Sequence, residues 1–291
     1  MSSRSITTKL ETRNSKLARY GPNSELRVSS FAIPNFRFRF WGFIWPLTLV
    51  AALGSGLRPA YGEQRVWEKR FELPPGGHVS VVNVQGSVLV EGWDRAEVEA
   101  TVAMRSEAPT DQLDDVQVAV EASHGSVALH TLYPSGLDTP IRVEYRLRVP
   151  RQVHLDELST LDGDIVVHDV EGAMSAHNLH GDIEAINLAG SVTAHALTGN
   201  ILISLSSLPD PRLPIQIATI NGNVDVLLPP QANANLELST VAGNIVGNYV
   251  FQVSSTPGDS TRRAQVGAGG VRVELRTVRG NIRVGEREED L

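Results

Sequence analysis

Between Gly163 and Gly199 a glycine recurs every nine residues, at 163, 172, 181, 190 and 199, and apolar residues follow each one at fixed offsets. A unit this short cannot bury a face by itself. Its neighbours must cover it, so the chain is constrained to short strands and turns stacked on one another. The units read GDIVVHDVE, GAMSAHNLH, GDIEAINLA and GSVTAHALT, and a fifth starts GNILIS. Positions three and five share one face of a strand. Position eight (Val170, Leu179, Leu188, Leu197) is expected to turn inward again beyond a bend. Gly-Asp/Asn-Ile recurs at 163, 181 and 199, which doubles the period to a coil of 18 residues with two similar halves. Identical positions then stack about 4.8 Å apart. The same corner returns at Asn221-Gly222-Asn223, Ala242-Gly243-Asn244 and Arg279-Gly280-Asn281.

The expected fold is all-β: a single-stranded parallel β-helix, or β-solenoid, over 151–285, preceded by an antiparallel β-rich part over 63–150. Low aromatic content (5%) and 25 glycines suit thin sheets with many turns. Ile141–Pro150 is the clearest alternating strand, ended by a proline that cannot donate to a ladder. Pro109–Leu113 carries a short helical turn with Thr110 as cap. Residues 208–214 and 254–264 read as loops, and the charged tail 286–291 as a shield for an open end of the stack.

Residues 1–62 carry 9 of the 26 Lys and Arg but only 2 of the 33 Asp and Glu, and enclose the uncharged run Phe40–Leu57. Two readings stay open: an export signal cleaved before Glu63, or a retained membrane anchor. Either places the rest in the periplasm or at the cell surface, with membrane contact only through this segment. After residue 62 the net charge is −14, which argues against nucleic acid. The absence of cysteine excludes disulfides, thiolate metal sites and cysteine nucleophiles.

Several runs together resemble the bacterial "putative adhesin" family: Val84–Trp93, Leu147–Pro150, the Thr-x-x-Gly-Asp/Asn-Ile corners, Val226–Pro229 and Val266–Val273. The likeness spans about residues 64–285. It implies an envelope-associated, right-handed β-helix-like fold and no catalytic residues.

Three constellations bear on chemistry. His168, His177 and His195 share position six, and the last two, 18 apart, stack; His180 is near in sequence. Clustered imidazoles can hold a metal, but a third ligand is missing and position six faces outward. Asp164, Asp182 and Asn200 form a corner column continued by Asn223, Asn244 and Asn281, as turn formers rather than calcium ligands. Asp156, Glu157, Asp162, Asp164, Asp169 and Glu171 form an acidic cluster of the kind a glycoside hydrolase needs, or a solvated surface. No nucleophile elbow, His-Glu-x-x-His or phosphate loop occurs. No catalytic, cofactor-binding or metal residue is assigned and no cofactor is expected. The expected function is a non-enzymatic exported envelope adhesin or scaffold whose partner is an envelope protein or glycan. The alternatives are end-to-end self-assembly and a carbohydrate-active β-helix enzyme.

Overall fold

Each corner glycine sits where a side chain would strike the rung beneath it. A Cβ on Gly199 would lie 1.9 Å from the Gly181 carbonyl oxygen, one on Gly181 2.2 Å from that of Gly163, and one on Gly163 2.2 Å from that of Gly86. The backbone therefore stacks in contact at this corner, and only glycine permits it. The structure, a computed structural model, describes residues 64–106, 112–134, 141–253 and 261–288, all within one unit, Arg58–Leu291. The N-terminal segment 1–62, the cap Thr110, residues 254–260 and the end of the tail lie outside the described residues.

Seven strands precede the repeats: β1 (Gln64–Glu72), β2 (Gly77–Val82), β3 (Val88–Trp93), β4 (Glu97–Ser106), β5 (Gln117–Ser123), β6 (Ser126–Leu132) and β7 (Ile141–Pro150). A short 3-10 turn, Gln112–Asp115, precedes β5. The regular units form β8 (Val153–Asp162), β9 (Ile165–His168), β10 (Met174–His180), β11 (Ile183–Ala189), β12 (Val192–Thr198) and β13 (Ile201–Ser207). The later corners join β14 (Ile215–Asn221), β15 (Val224–Leu228), β16 (Ala234–Ala242), β17 (Ile245–Gly247), β18 (Gln252–Val253), β19 (Thr261–Val266), β20 (Val271–Arg279) and β21 (Ile282–Glu286).

These strands make two large mixed sheets. Sheet I runs β1-β4-β7-β3-β9-β11-β13-β15-β21-β17, and sheet II runs β18-β19-β16-β20-β14-β12-β10-β8-β2-β6-β5. In the repeat region every 18-residue unit gives one strand to each sheet, paired in parallel with its equivalents. β2 and β3 enter the same parallel stacks against β8 and β9, so the sheets run unbroken across residue 150. Antiparallel pairs flank the stacks: β7-β4-β1 and β6-β5 beyond β3 and β2, and β16-β19-β18 beyond β20. The inward side chains of both sheets form one core of Val, Leu, Ile and Ala. Each fully buried aliphatic contributes about 1.5–3 kcal/mol before chain entropy is set against it.

Four expectations need correction. First, position eight does not always turn inward. Val170 and Leu188 are buried, but Leu179 and Leu197 are exposed. The bend exists only where position seven is left-handed, at Asp169 (φ 58) and Asn187 (φ 60), residue types that tolerate that conformation. At Asn178 and Ala196 the strand continues, position seven faces in, and position eight is thrown outward. Second, the coils do not stack in sequence order. β20 lies between β14 and β16, and β21 between β15 and β17, so residues 271–286 are inserted inside the stack. Third, 261–264 is strand rather than loop: Thr261-Arg-Arg-Ala-Gln-Val alternates, buries Ala264 and Val266, and pairs with β16. Fourth, the start of the tail does not cover an end. The Arg287 backbone N–H donates to the Leu228 carbonyl and its guanidinium to Asn187 Oδ1, along the side of the stack.

Two polar columns fix the corner. The Asp182 N–H donates to Asp164 Oδ1 (2.9 Å), Asn200 N–H to Asp182 Oδ1 (2.6 Å), Asn223 N–H to Asn200 Oδ1 (3.0 Å), Asn281 N–H to Asn223 Oδ1 (2.9 Å) and Asn244 N–H to Asn281 Oδ1 (2.9 Å). The expected Asp/Asn column is thus a continuous ladder, and it follows the spatial order with 281 before 244. Three residues before each corner glycine except Gly199, where Ala196 stands, an inward Thr or Asn donates to the glycine carbonyl one rung below. Thr160 reaches Gly86, Asn178 reaches Gly163, Thr219 reaches Gly199, Thr277 reaches Gly222 and Thr240 reaches Gly280. Nearer β7, Asn83 donates to Gly86 and Val143 carbonyls and accepts from Thr131, which also pairs with Tyr145. Burial pushes the Tyr145 phenol up to about 12.

Candidate functional site

The outward throw of position eight builds the most distinctive surface of the molecule. The paired residues on either side place Leu161 (β8), Leu179 (β10), Leu197 (β12), Ile220 (β14), Val278 (β20) and Val241 (β16) at one register across six parallel strands of sheet II. All six are large aliphatics between 37% and 76% exposed. At about 4.8 Å per strand they form a stripe roughly 24 Å long. Isolated exposed aliphatics are ordinary, but an ordered row is not.

Two residues before each of these sits a second outward row: Ser159, His177, His195, Ala218, Arg276 and Ser239. Between the rows runs an open groove of about 640 Å³. On the corner side of the stripe the next row carries Asp162 on β8 and Arg279 on β20. Arg142 approaches Asp162 at 3.9 Å.

His177 and His195 stand side by side in this groove, ring centroids 5.5 Å apart in an edge-on arrangement. Ser175 Oγ lies 3.2 Å from His177 Nε2. Burial first, then the neighbouring His177, holds the His195 imidazole below its ordinary 6.5. The expected three-histidine column is therefore only a pair. His168 lies on sheet I, beside Ile186 of β11 and 4.0 Å from Glu184, because a nine-residue offset moves a side chain to the opposite sheet. Burial raises the Glu184 carboxyl, with His168 opposing. Among the described residues no group of three or more His, Asp or Glu is placed to hold a metal ion.

The acidic cluster disperses as well. Asp156 bonds His78 on sheet II, Asp164 belongs to the corner ladder, and Asp169 sits at the sheet I bend with Asn187 and Arg151. Glu171 bridges Gln152 and Ala189.

The aliphatic stripe escaped sequence reasoning, although its signal was there. An apolar residue stands two places before each of Gly163, Gly181, Gly199, Gly222, Gly243 and Gly280. Apolar character alone does not separate this stripe from the core.

The fold and this face define an all-β protein of two mixed sheets, one of them carrying an apolar groove along the stack. No family model matches the chain, and no curated protein matches it. Among solved structures it is similar to a "putative cell adhesion protein" from Clostridium sporogenes ATCC 15579, at 11% identity over 77% of this chain and 100% of that one, with a TM-score of 0.38. It is also similar to a "putative adhesin" from Bacteroides fragilis NCTC 9343, at 9% identity over 76% and 97%, TM-score 0.38. A "putative lipid binding protein" from Parabacteroides distasonis ATCC 8503 follows at 14% identity over 78% and 98%, TM-score 0.29. Likeness of this degree supplies no site and no ligand. No helix among the described residues is long and apolar enough to cross a membrane.

Proposed function

We propose that this chain is a non-enzymatic, exported envelope protein, an adhesin-like binding scaffold that docks a partner on the grooved face of sheet II. The two sheets, fed alternately by an 18-residue repeat, are read as a β-solenoid that serves as a rigid platform. The single observation behind the docking reading is the row of six exposed aliphatics at one register. Keeping such a row wet is costly, and covering it returns about 25 cal/mol per Å². The groove is open along its length, which suits a broad surface better than a small molecule, whose sites bury most of the ligand. Export rests on the basic N-terminal segment with its apolar run.

The two alternative functions find less support. A glycoside hydrolase needs two convergent carboxylates, and Asp156, Asp164 and Asp169 face different neighbours. End-to-end stacking needs open strand edges. Three of the four outer strands carry the usual guards against such pairing: β17 and β18 are short, and β1 bears Arg65, Glu68, Lys69, Arg70 and Glu72; β5, with the single charge Glu121, is the exception.

The test compares retention of the full chain and its Leu197→Arg variant on isolated envelopes. The variant is expected to lose retention while keeping the wild-type melting curve. Equal retention, or glycan hydrolysis that disappears in Asp164→Asn, would overturn the reading.

A further inference from the structure

We infer that the surface covering the groove is the same face of a second copy of this chain, turned end for end about a two-fold axis that passes over Leu197. The inference rests on the docking reading above and names the occupant.

Charge selects both the partner and its direction. Along the row beside the stripe the order is Asp162, His180, Thr198, Asn221, Arg279 and Ala242. The acid stands two strands to one side of β12 and the arginine two strands to the other. If a second copy lies on the first with its strand order reversed and β12 over β12, Asp162 of each copy meets Arg279 of the other. His180 then faces Asn221, and Thr198 faces its own equivalent. The stripe is matched in the same operation: Leu161 lies on Val278, Leu179 on Ile220, and Leu197 on Leu197. In the other face-to-face two-fold, which keeps strand order and reverses strand direction about the stripe, Asp162 would lie over the row of Thr160 and Arg279 over the row of Thr277, and neither charge would meet its opposite. A two-fold pairing is self-complementary by construction, so one surface supplies both halves.

The extent is adequate. Five strand spacings along the stack and seven residues along each strand give a face of roughly 550 Å² per copy. The total of about 1,100 Å² lies at the lower edge of specific interfaces. The pairing is therefore a reversible one whose strength comes from the apolar row and whose register comes from the two ion pairs. The opposite sheets face outward from such a pair, leaving Trp93 with its flanking Arg95 and Arg148 on both outer faces.

The natural chain has no cysteine, so single cysteines report position unambiguously. The full chain is made in bacteria with Leu197→Cys on sheet II or Leu202→Cys on the outer face of sheet I, and intact cells are treated with a short bis-maleimide. A crosslinked dimer is expected from Leu197→Cys and not from Leu202→Cys. Co-expressed Asp162→Cys and Arg279→Cys chains are expected to crosslink to each other more than either does to itself. Adding Val278→Arg to Leu197→Cys should cut the dimer about thirtyfold or more, as for a central apolar contact. Thermal melts confirm that these surface variants fold. Absence of the Leu197→Cys dimer, or an equal dimer from Leu202→Cys, overturns the proposal. If the dimer is absent while Leu197→Arg still releases the chain from envelopes, the docking face stands and its occupant is a different molecule. If both measurements are negative, both readings fall.

Discussion

One methyl group is the sharpest probe of this fold. Gly199 sits at φ 151, and an added Cβ would lie 1.9 Å from the Gly181 carbonyl oxygen, a backbone atom with no room to retreat. Gly199→Ala is expected to cost about 3 kcal/mol or more, read by urea denaturation. The inward Thr/Asn column makes the opposite prediction. Thr160, Asn178, Thr219, Thr240 and Thr277 each bond a corner carbonyl, but the equivalent place on β12 is Ala196, beneath which lies Gly181. Ala196→Thr places a hydroxyl where its column-mates donate, and should stabilise by about 1 kcal/mol. A melting temperature unchanged or lowered in that variant would show that the rung is already satisfied. Residue type alone does not reveal these roles. Asn178 and Asn187 both stand at position seven, yet one is an inward clamp in a straight strand and the other the left-handed bend.

At the scale of the element, the paired strands β10 and β12 bring His177 and His195 together in the groove. The His195 pKa is depressed in the fold by burial and by His177, so the unfolded chain takes up the proton more readily. Its contribution to stability is present above the unfolded value of 6.5 and is lost as pH falls through that value toward the folded one. The melting temperature should therefore drop between about pH 7 and about pH 5, and His195→Gln should flatten that drop. A profile identical in the variant would remove the pair from the account. Strand existence and face were legible in the sequence because period two and the nine-residue spacing both speak of burial. The aliphatic stripe was not, because an exposed leucine and a core leucine are the same letter. Only the presence or absence of the bend one residue earlier decides between them.

For the whole molecule, the order of the rungs was beyond sequence reasoning for a related cause. The corners at Gly222, Gly243 and Gly280 are near-copies, each preceded by Thr at the same distance and followed by Asn. Any of them fits on any other, and the choice falls to the antiparallel pairing of β16 with β19. Placing β20 and β21 inside the stack makes them a keystone. A chain ended at Gly270 loses both neighbours of β16 and β17 toward the rest of the molecule. Its melt should lose cooperativity for the whole stack rather than shed one terminal rung. A single sharp transition only about 5 °C lower would contradict this.

The inserted rung also sets a timetable. During synthesis residues 153–228 can lay down one layer on the last as each emerges, every new strand finding its template already made. That growth stops at β15. Residues 234–266 arrive next, but the surface on which they will rest does not yet exist, since it belongs to 271–286. Until those residues follow, β16 lacks its native neighbour β20, and its remaining native partner is β19. On this topology the native stack is expected to close late, when residues 271–286 enter between β14/β15 and β16/β17.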